Sequence, residues 1–303
     1  MTLLGLFLAA LAGVCHAETP PNLRDRLLRL AEEAEAFGQM APEIIGQEHL
    51  EQVAAQPLPR FQIRGARQEI PYKTRSIDSE YGFARFSSDG QNLHEVRQVL
   101  AVDGRQVKAP GKLRETLSMG LHTDTDKLKK KMLKEFESYG LREAATDFGQ
   151  LILLFTKRQL DNYTFAPLSG RFLGPDKVMV VSFEQKDGDT AMTVFEGRQV
   201  VRHRLKGEVW LRETDGLPLR ITLNFNQAEK NFTLVRNASV DYAPSAYGVL
   251  LPAALVYSES VAGHLLVENR FRYSDYKKFG ASSELKFTVD DSLLNENPPK
   301  EKK

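Results

Sequence analysis

The chain has 303 residues, 42% of them hydrophobic, with 41 Lys and Arg against 40 Asp and Glu, one Trp and one Cys. That composition is globular: it excludes a disordered chain, a collagen-like repeat and a cysteine-dense scaffold. A formal charge of +1 also removes the bulk electrostatic case for a nucleic-acid partner.

Met1 to Ala17 carry no Asp, Glu, Lys or Arg, and 13 of these 17 residues are hydrophobic. The stretch is too short to span a bilayer, and Cys15-His16-Ala17 places small residues where a signal peptidase cuts. A secretory signal over 1–17 is therefore expected, giving an exported, periplasmic or extracellular chain. Leu11 to Cys15 is a variant of a lipidation box, with Val14 where a small residue is usual, so lipid anchoring at Cys15 is the minority alternative. After cleavage no cysteine remains, which excludes disulfides, thiolate metal sites and cysteine nucleophiles.

Residues 18–60 read as helical. Leu23, Leu27, Leu30, Ala34 and Phe37 recur on one face, and Pro42 is expected to start a second helix through Ile44, Ile45, Leu50 and Val53. From about 69 to 108, short strands are punctuated by Asp89-Gly90 and Asp103-Gly104 turns. A helical insertion at about 112–160 follows. Thr123 to Asp126 forms a cap and Gly140 a stop, and Asp147 with Gln150 is a second cap, for a helix over 151–160. Lys127, Lys131 and Lys134 line one side of the insertion, which suits anionic lipid or plain solvent.

Beyond 161 the pattern has period two. Leu219, Ile221, Leu223 and Phe225 alternate with Arg220, Thr222, Asn224 and Asn226. Leu265, Val267, Phe271 and Tyr273 alternate with Glu268, Arg270 and Arg272. Turns fall at Asp187-Gly188, Asp215-Gly216 and Ala262-Gly263, and residues 293–303 read as a solvated tail. The fold class expected is α+β: a long, curved antiparallel sheet over 61–292, a half-barrel meander covered on its apolar face by helices.

Chemical motifs are sparse. No nucleophile elbow, zinc-protease, phosphate-loop or calcium-loop pattern occurs. Ser274-Lys277 and Ser283-Lys286 match a catalytic spacing by letter, but that chemistry needs one helix turn and both lie in alternating sequence. His49, His94, His122, His203 and His264 are scattered, one to an element, and read as exposed or locally bonded imidazoles. No metal or cofactor is expected. Glu208, Trp210 and Arg212 share a face, an arrangement that suits a sugar platform or a half-buried sheet residue.

The hairpin Gly207-Glu208-Val209-Trp210-Leu211, turning at Asp215-Gly216 into Leu217-Pro218-Leu219-Arg220-Ile221, resembles a hairpin of the periplasmic lipoprotein-carrier (LolA-like) superfamily. Gly248-Val249-Leu250-Leu251-Pro252, after a strand ending at Tyr242, is similar to that family's next hairpin. The resemblance covers about 50 residues. It implies a curved sheet wrapped around an apolar cavity and closed by helices, in proteins that carry lipoproteins or lipids or sense the state of the envelope.

The resulting expectation is an exported, non-enzymatic binding protein that holds a lipid acyl chain or a lipidated partner. Leu219, Ile221, Leu223, Phe225, Leu234, Val240, Leu255, Val267 and Phe271 are expected to line the apolar face. A fully packed core is the competing reading of the same residues. The alternatives are an envelope protein-interaction or sensory module of the same fold and a carbohydrate-active hydrolase using Glu208, Glu213 or Asp241. No nucleic-acid partner is expected, and no membrane-spanning helix in the mature chain.

Overall fold

The computed structural model describes residues 21–57, 70–85, 93–108, 132, 134–142, 147–186, 192–196, 199–228 and 232–278. The signal, the 89–90 and 187–188 turns, the cap at 123–126, most of the basic segment and the tail lie outside the described residues.

The first element is the helix α1, Pro21–Met40. Its expected stripe, Leu23, Leu27, Leu30, Ala34 and Phe37, is buried throughout. Arg26 donates to the Arg212 and Glu213 carbonyls at 2.9 and 2.8 Å, and Arg85 donates to the Gly38 carbonyl, so both ends of α1 are tied to the sheet or its turns.

The expected second helix is a strand. β1, Ile44–Ala55, alternates buried and half-buried residues along its whole length. The buried set is Ile44, Gly46, Glu48, Leu50, Gln52 and Ala54. Two of these are polar, so the period-two signal is masked in the sequence. Antiparallel neighbours on both sides then override any local helical preference.

The strands that follow are β2 (Tyr72–Arg85), β3 (Leu93–Val102), β4 (Arg105–Gln106), β5 (Tyr163–Pro167), β6 (Arg171–Leu173), β7 (Asp176–Gln185), β8 (Met192–Glu196), β9 (Gln199–His203), β10 (Lys206–Arg212), β11 (Pro218–Ala228), β12 (Thr233–Pro244), β13 (Leu250–Val261) and β14 (His264–Lys278). Twelve form one sheet in the order β4-β3-β2-β1-β14-β13-β12-β11-β10-β7-β5, with β6 also on β7; β8 and β9 form a separate hairpin. Every pairing is antiparallel and the two ends of the sheet do not meet. The α+β class is therefore as read: a long open antiparallel sheet with a helical cover.

Register shifts at Ile45/Gln47, Asp78/Ser79, Trp210/Leu211, Asp241/Tyr242 and Glu259/Ser260 bend and twist the long strands. The Asp103-Gly104 and Ala262-Gly263 turns have both residues at positive φ (48° and 75°, 49° and 79°), the geometry that closes a two-residue hairpin.

The middle helix is also altered. Residues 134–138 are helical and Gly140 at φ 77° ends them as expected. Phe148–Phe155, however, is a 3-10 segment kinked at Gln150, and Asp147 makes no side-chain cap. Its carboxylate instead accepts from the Glu95 backbone N at 3.2 Å. A tertiary acceptor role has replaced the local one.

Candidate functional site beneath the sheet

Cross-strand pairing assembles one apolar row across nine strands: Val181, Val209, Ile221, Val240, Leu255, Phe271, Leu50, Ile77 and Val102, each opposite the next. All but Val102 are 0–1% exposed. α1 and the Phe148–Phe155 segment join the same continuous core through Leu27, Leu30, Phe37, Leu151, Ile152 and Phe155.

Six of the nine residues expected on the apolar face, Ile221, Leu223, Phe225, Val240, Leu255 and Phe271, belong to this core. Val267 is also buried. Leu234 is half-buried near the start of β12, opposite Val261 at the end of β13, where the inner face gives way to the hairpin turn. Leu219 departs from the pattern. The shift in pairing opposite Trp210 and Leu211 makes it the extra residue of a bulge, so it packs with Val178 and Val180 beside Trp210, away from the main core.

The inner face also carries charges that periodicity did not flag. Arg97 donates from Nε to both oxygens of Glu48 at 2.9 and 2.8 Å, and from Nη2 to Glu95 at 2.7 Å; all three side chains are 0–1% exposed. The Tyr81 hydroxyl donates to Glu95 at 2.9 Å, and the guanidinium lies over the Tyr81 and Phe271 rings. Burial pushes the Glu95 carboxyl up to about 7; Arg97 opposes this, while Asp147 and Glu48 add to it. Burial raises Glu48 as well, and Arg97 is held above its ordinary value by the two carboxylates.

Two further polar groups share this face. Gln52 donates to Asn269 at 2.6 Å and to the Arg142 carbonyl at 2.5 Å. Arg236 and the Tyr257 hydroxyl both donate to Glu259, at 2.8 and 2.6 Å. A signal for some of these exists in the sequence: Arg236 and Asn269 interrupt otherwise apolar alternation, at the parity of Ala238 and Phe271.

The cover sits directly on the first cluster. Gly149 packs so closely that a Cβ there would collide with Glu95 Oε1 and the Tyr81 hydroxyl. The Tyr242 hydroxyl donates to the Gly149 carbonyl and accepts from Ile152 N, both at 3.0 Å. A buried phenol thus replaces the missing cap.

The outer face has a different character. Trp210 has the guanidinium groups of Arg171 and Arg220 over its ring, at 5.2 and 5.3 Å, and donates from Nε1 to Glu208 at 2.9 Å. The carboxylates proposed for sugar chemistry have separate partners: Glu208 with Arg171, Glu213 with Lys177 and Asp241 with Arg220. Two open depressions of about 300 and 390 Å³ share Glu208 and Asn224, and none of the nine expected residues lines either. His49 bonds Asp78 at 2.6 Å and His264 is exposed at a turn. Among the described residues no three His, Cys, Asp or Glu side chains gather to hold a metal. Ser274 and Lys277 lie on β14, in extended backbone rather than on a helix turn.

No protein-family model and no curated protein matches the chain. Solved structures do. One is described as an outer-membrane lipoprotein-sorting protein domain from Vibrio parahaemolyticus: 12% identity, TM-score 0.39, covering 88% of this chain and 97% of that one. A DUF1329 family protein from Desulfovibrio piger gives 9% identity and TM-score 0.37, covering 89% and 98%. A LolA superfamily protein from Nitrosomonas europaea gives 12% and 0.31, covering 84% and 94%. At these scores the likeness adds nothing to the geometry above, which stands on the sheet and its cover.

Proposed function

We propose that the protein is an exported, non-enzymatic binding protein that takes an acyl chain or a lipidated partner against the inner face of its sheet. The observation that carries this reading is the nature of the cover. Among the described residues the nine-strand apolar row is covered by α1, by the short helix at 134–138 with Leu141, and by a kinked 3-10 segment without a side-chain cap. Six of the expected lining residues are packed in the core, as the competing reading has it, so binding on this proposal requires the cover to move aside. No helix among the described residues is long and apolar enough to cross a membrane.

Native mass spectrometry of the protein purified from its own host, followed by lipid extraction, tests the reading. Recovery of a stoichiometric acyl species is the expected result, and recovery of none overturns it.

One observation favours the second reading, an envelope interaction module. Along the sheet edge formed by β5 and β6, Leu168 and Phe172 are 40% and 72% exposed. Retention of a protein partner by the wild type but not by Phe172→Ser, with no lipid recovered, is the outcome that replaces the first reading by this one.

A further inference from the structure

We propose that the Glu48–Arg97–Glu95 cluster is a proton-operated latch on the cover: the 147–155 segment stays seated while Glu95 holds its proton and loosens when that proton leaves. The inference deepens the reading above and rests on it for the use of the movement, but the movement itself needs no ligand.

The first support is a charge count. One guanidinium faces two carboxylates, all buried. With Glu95 neutral, Arg97 and Glu48 balance, and the Glu95 hydroxyl can donate to the Tyr81 oxygen by rotation of the phenolic hydrogen. With Glu95 ionised, one negative charge is left over among fully buried side chains, a costly state unless the surroundings move.

The second support is position. Among the described residues, the titratable or charged groups set against Glu95 are Arg97 on β3, Glu48 on β1, Tyr81 on β2, Tyr242 on β12, Tyr273 and Tyr276 on β14, and Asp147 at the start of the cover, which has His94 beside it. The phenols are held protonated, their ionisation pushed well up by burial. Arg97 stays charged. The charge that the cover itself brings is the Asp147 carboxylate, which accepts from the Glu95 backbone N and lies 3.7 Å from His94 Nδ1. An ionised Glu95 repels it.

The third support is the tightness of the contact. Gly149 lays its backbone directly on the Glu95 carboxyl, where even a Cβ would collide. Hydration of an ionised Glu95 therefore requires this backbone to lift, and the two Tyr242 bonds are what it would break.

Hydrogen exchange of the ligand-free full chain, read by mass spectrometry from pH 5.5 to 8.5 and corrected for intrinsic rates, tests the latch. Protection of the 148–155 amides is expected to fall at least tenfold with a midpoint near the Glu95 value of about 7, while β11–β13 keep theirs. Glu95→Gln is expected to hold the cover protected across the range. An equal fall in Glu95→Gln, or no fall in the wild type, overturns the latch. If that variant does not fold, Asp147→Asn decides: removing a charge that raises Glu95 moves the wild-type midpoint to lower pH, and an unmoved midpoint overturns the proposal. No lipid is present, so a working latch with no acyl ligand would count against the earlier reading alone.

Discussion

The two halves of the inner face are buried equally and built differently. In β10 and β11 the inward positions include Val209, Leu211, Ile221, Leu223 and Phe225, apolar residues at most 4% exposed. In β1 and β3 the inward positions include Glu48, Gln52, Glu95 and Arg97, at most 7% exposed. The apolar half is stabilised by area removed from water and tolerates exchange of one hydrocarbon for another. The charged half depends on each member having its partner, so it carries direction and proton sensitivity that hydrocarbon cannot supply. The cover touches both: α1 and the Phe148–Phe155 side chains pack into the apolar core, while Asp147 and Gly149 rest on the charges.

Substitutions can break this contrast. The largest effect is expected at Arg97→Ala, which leaves two buried carboxylates on one face; urea unfolding should show a loss of about 3–5 kcal/mol. Replacing Glu48, Glu95 and Arg97 together by Leu, Leu and Met should cost far less than Arg97→Ala alone, because it leaves no uncompensated charge. A triple variant as damaged as the single one would show that the cluster acts by shape and not by charge. Leu255→Ala, in the centre of the apolar row, should cost about 2–5 kcal/mol, with the same value at pH 5.5 and 8.

Tyr242→Phe removes both bonds to the 3-10 segment and leaves Ile152 N buried without its partner. It should cost about 1–3 kcal/mol, with faster amide exchange confined to 148–155. On the outer face, Arg220→Ala breaks a pair with Asp241 whose side chains are 27% and 34% exposed, and a change of about 0–1 kcal/mol is expected in the same assay.

The pH dependence of stability sharpens the contrast further. The Glu95 carboxyl is raised from the ordinary 4.5 to about 7 in the folded chain. Its contribution is therefore fully present below the unfolded value and is lost as pH rises through about 7. Asp103 is shifted the other way by the Ser76 backbone N–H it accepts from, with Arg75 adding to it, and Asp215 by its bond to Arg212; both withdraw stability only in the acid range below the ordinary carboxylate value. The two windows are separate. Denaturant midpoints should fall between pH 5 and 8 in the wild type and fall by clearly less in Glu95→Gln, where Glu48 is the buried carboxyl that remains raised in the cluster.

The sequence by itself determined the α1 stripe, the meander beyond residue 161, the parity of Ile221, Leu223 and Phe225, and the turns at 103–104, 215–216 and 262–263. Each rests on local period or on a residue that tolerates positive φ, and neither needs a distant partner. What only the tertiary structure decided is where period and environment disagree. Ile44–Ala55 hid its alternation behind Glu48 and Gln52, whose partners Arg97 and Asn269 stand 49 and 217 positions away. Leu219 changed packing group because a bulge shifts its parity. Asp147 gave its oxygen to β3 instead of to its own segment. Periodicity reports which side chains share a face. What lies against that face, hydrocarbon, a partnered charge or the covering segment, is set by residues brought together only when the sheet has formed.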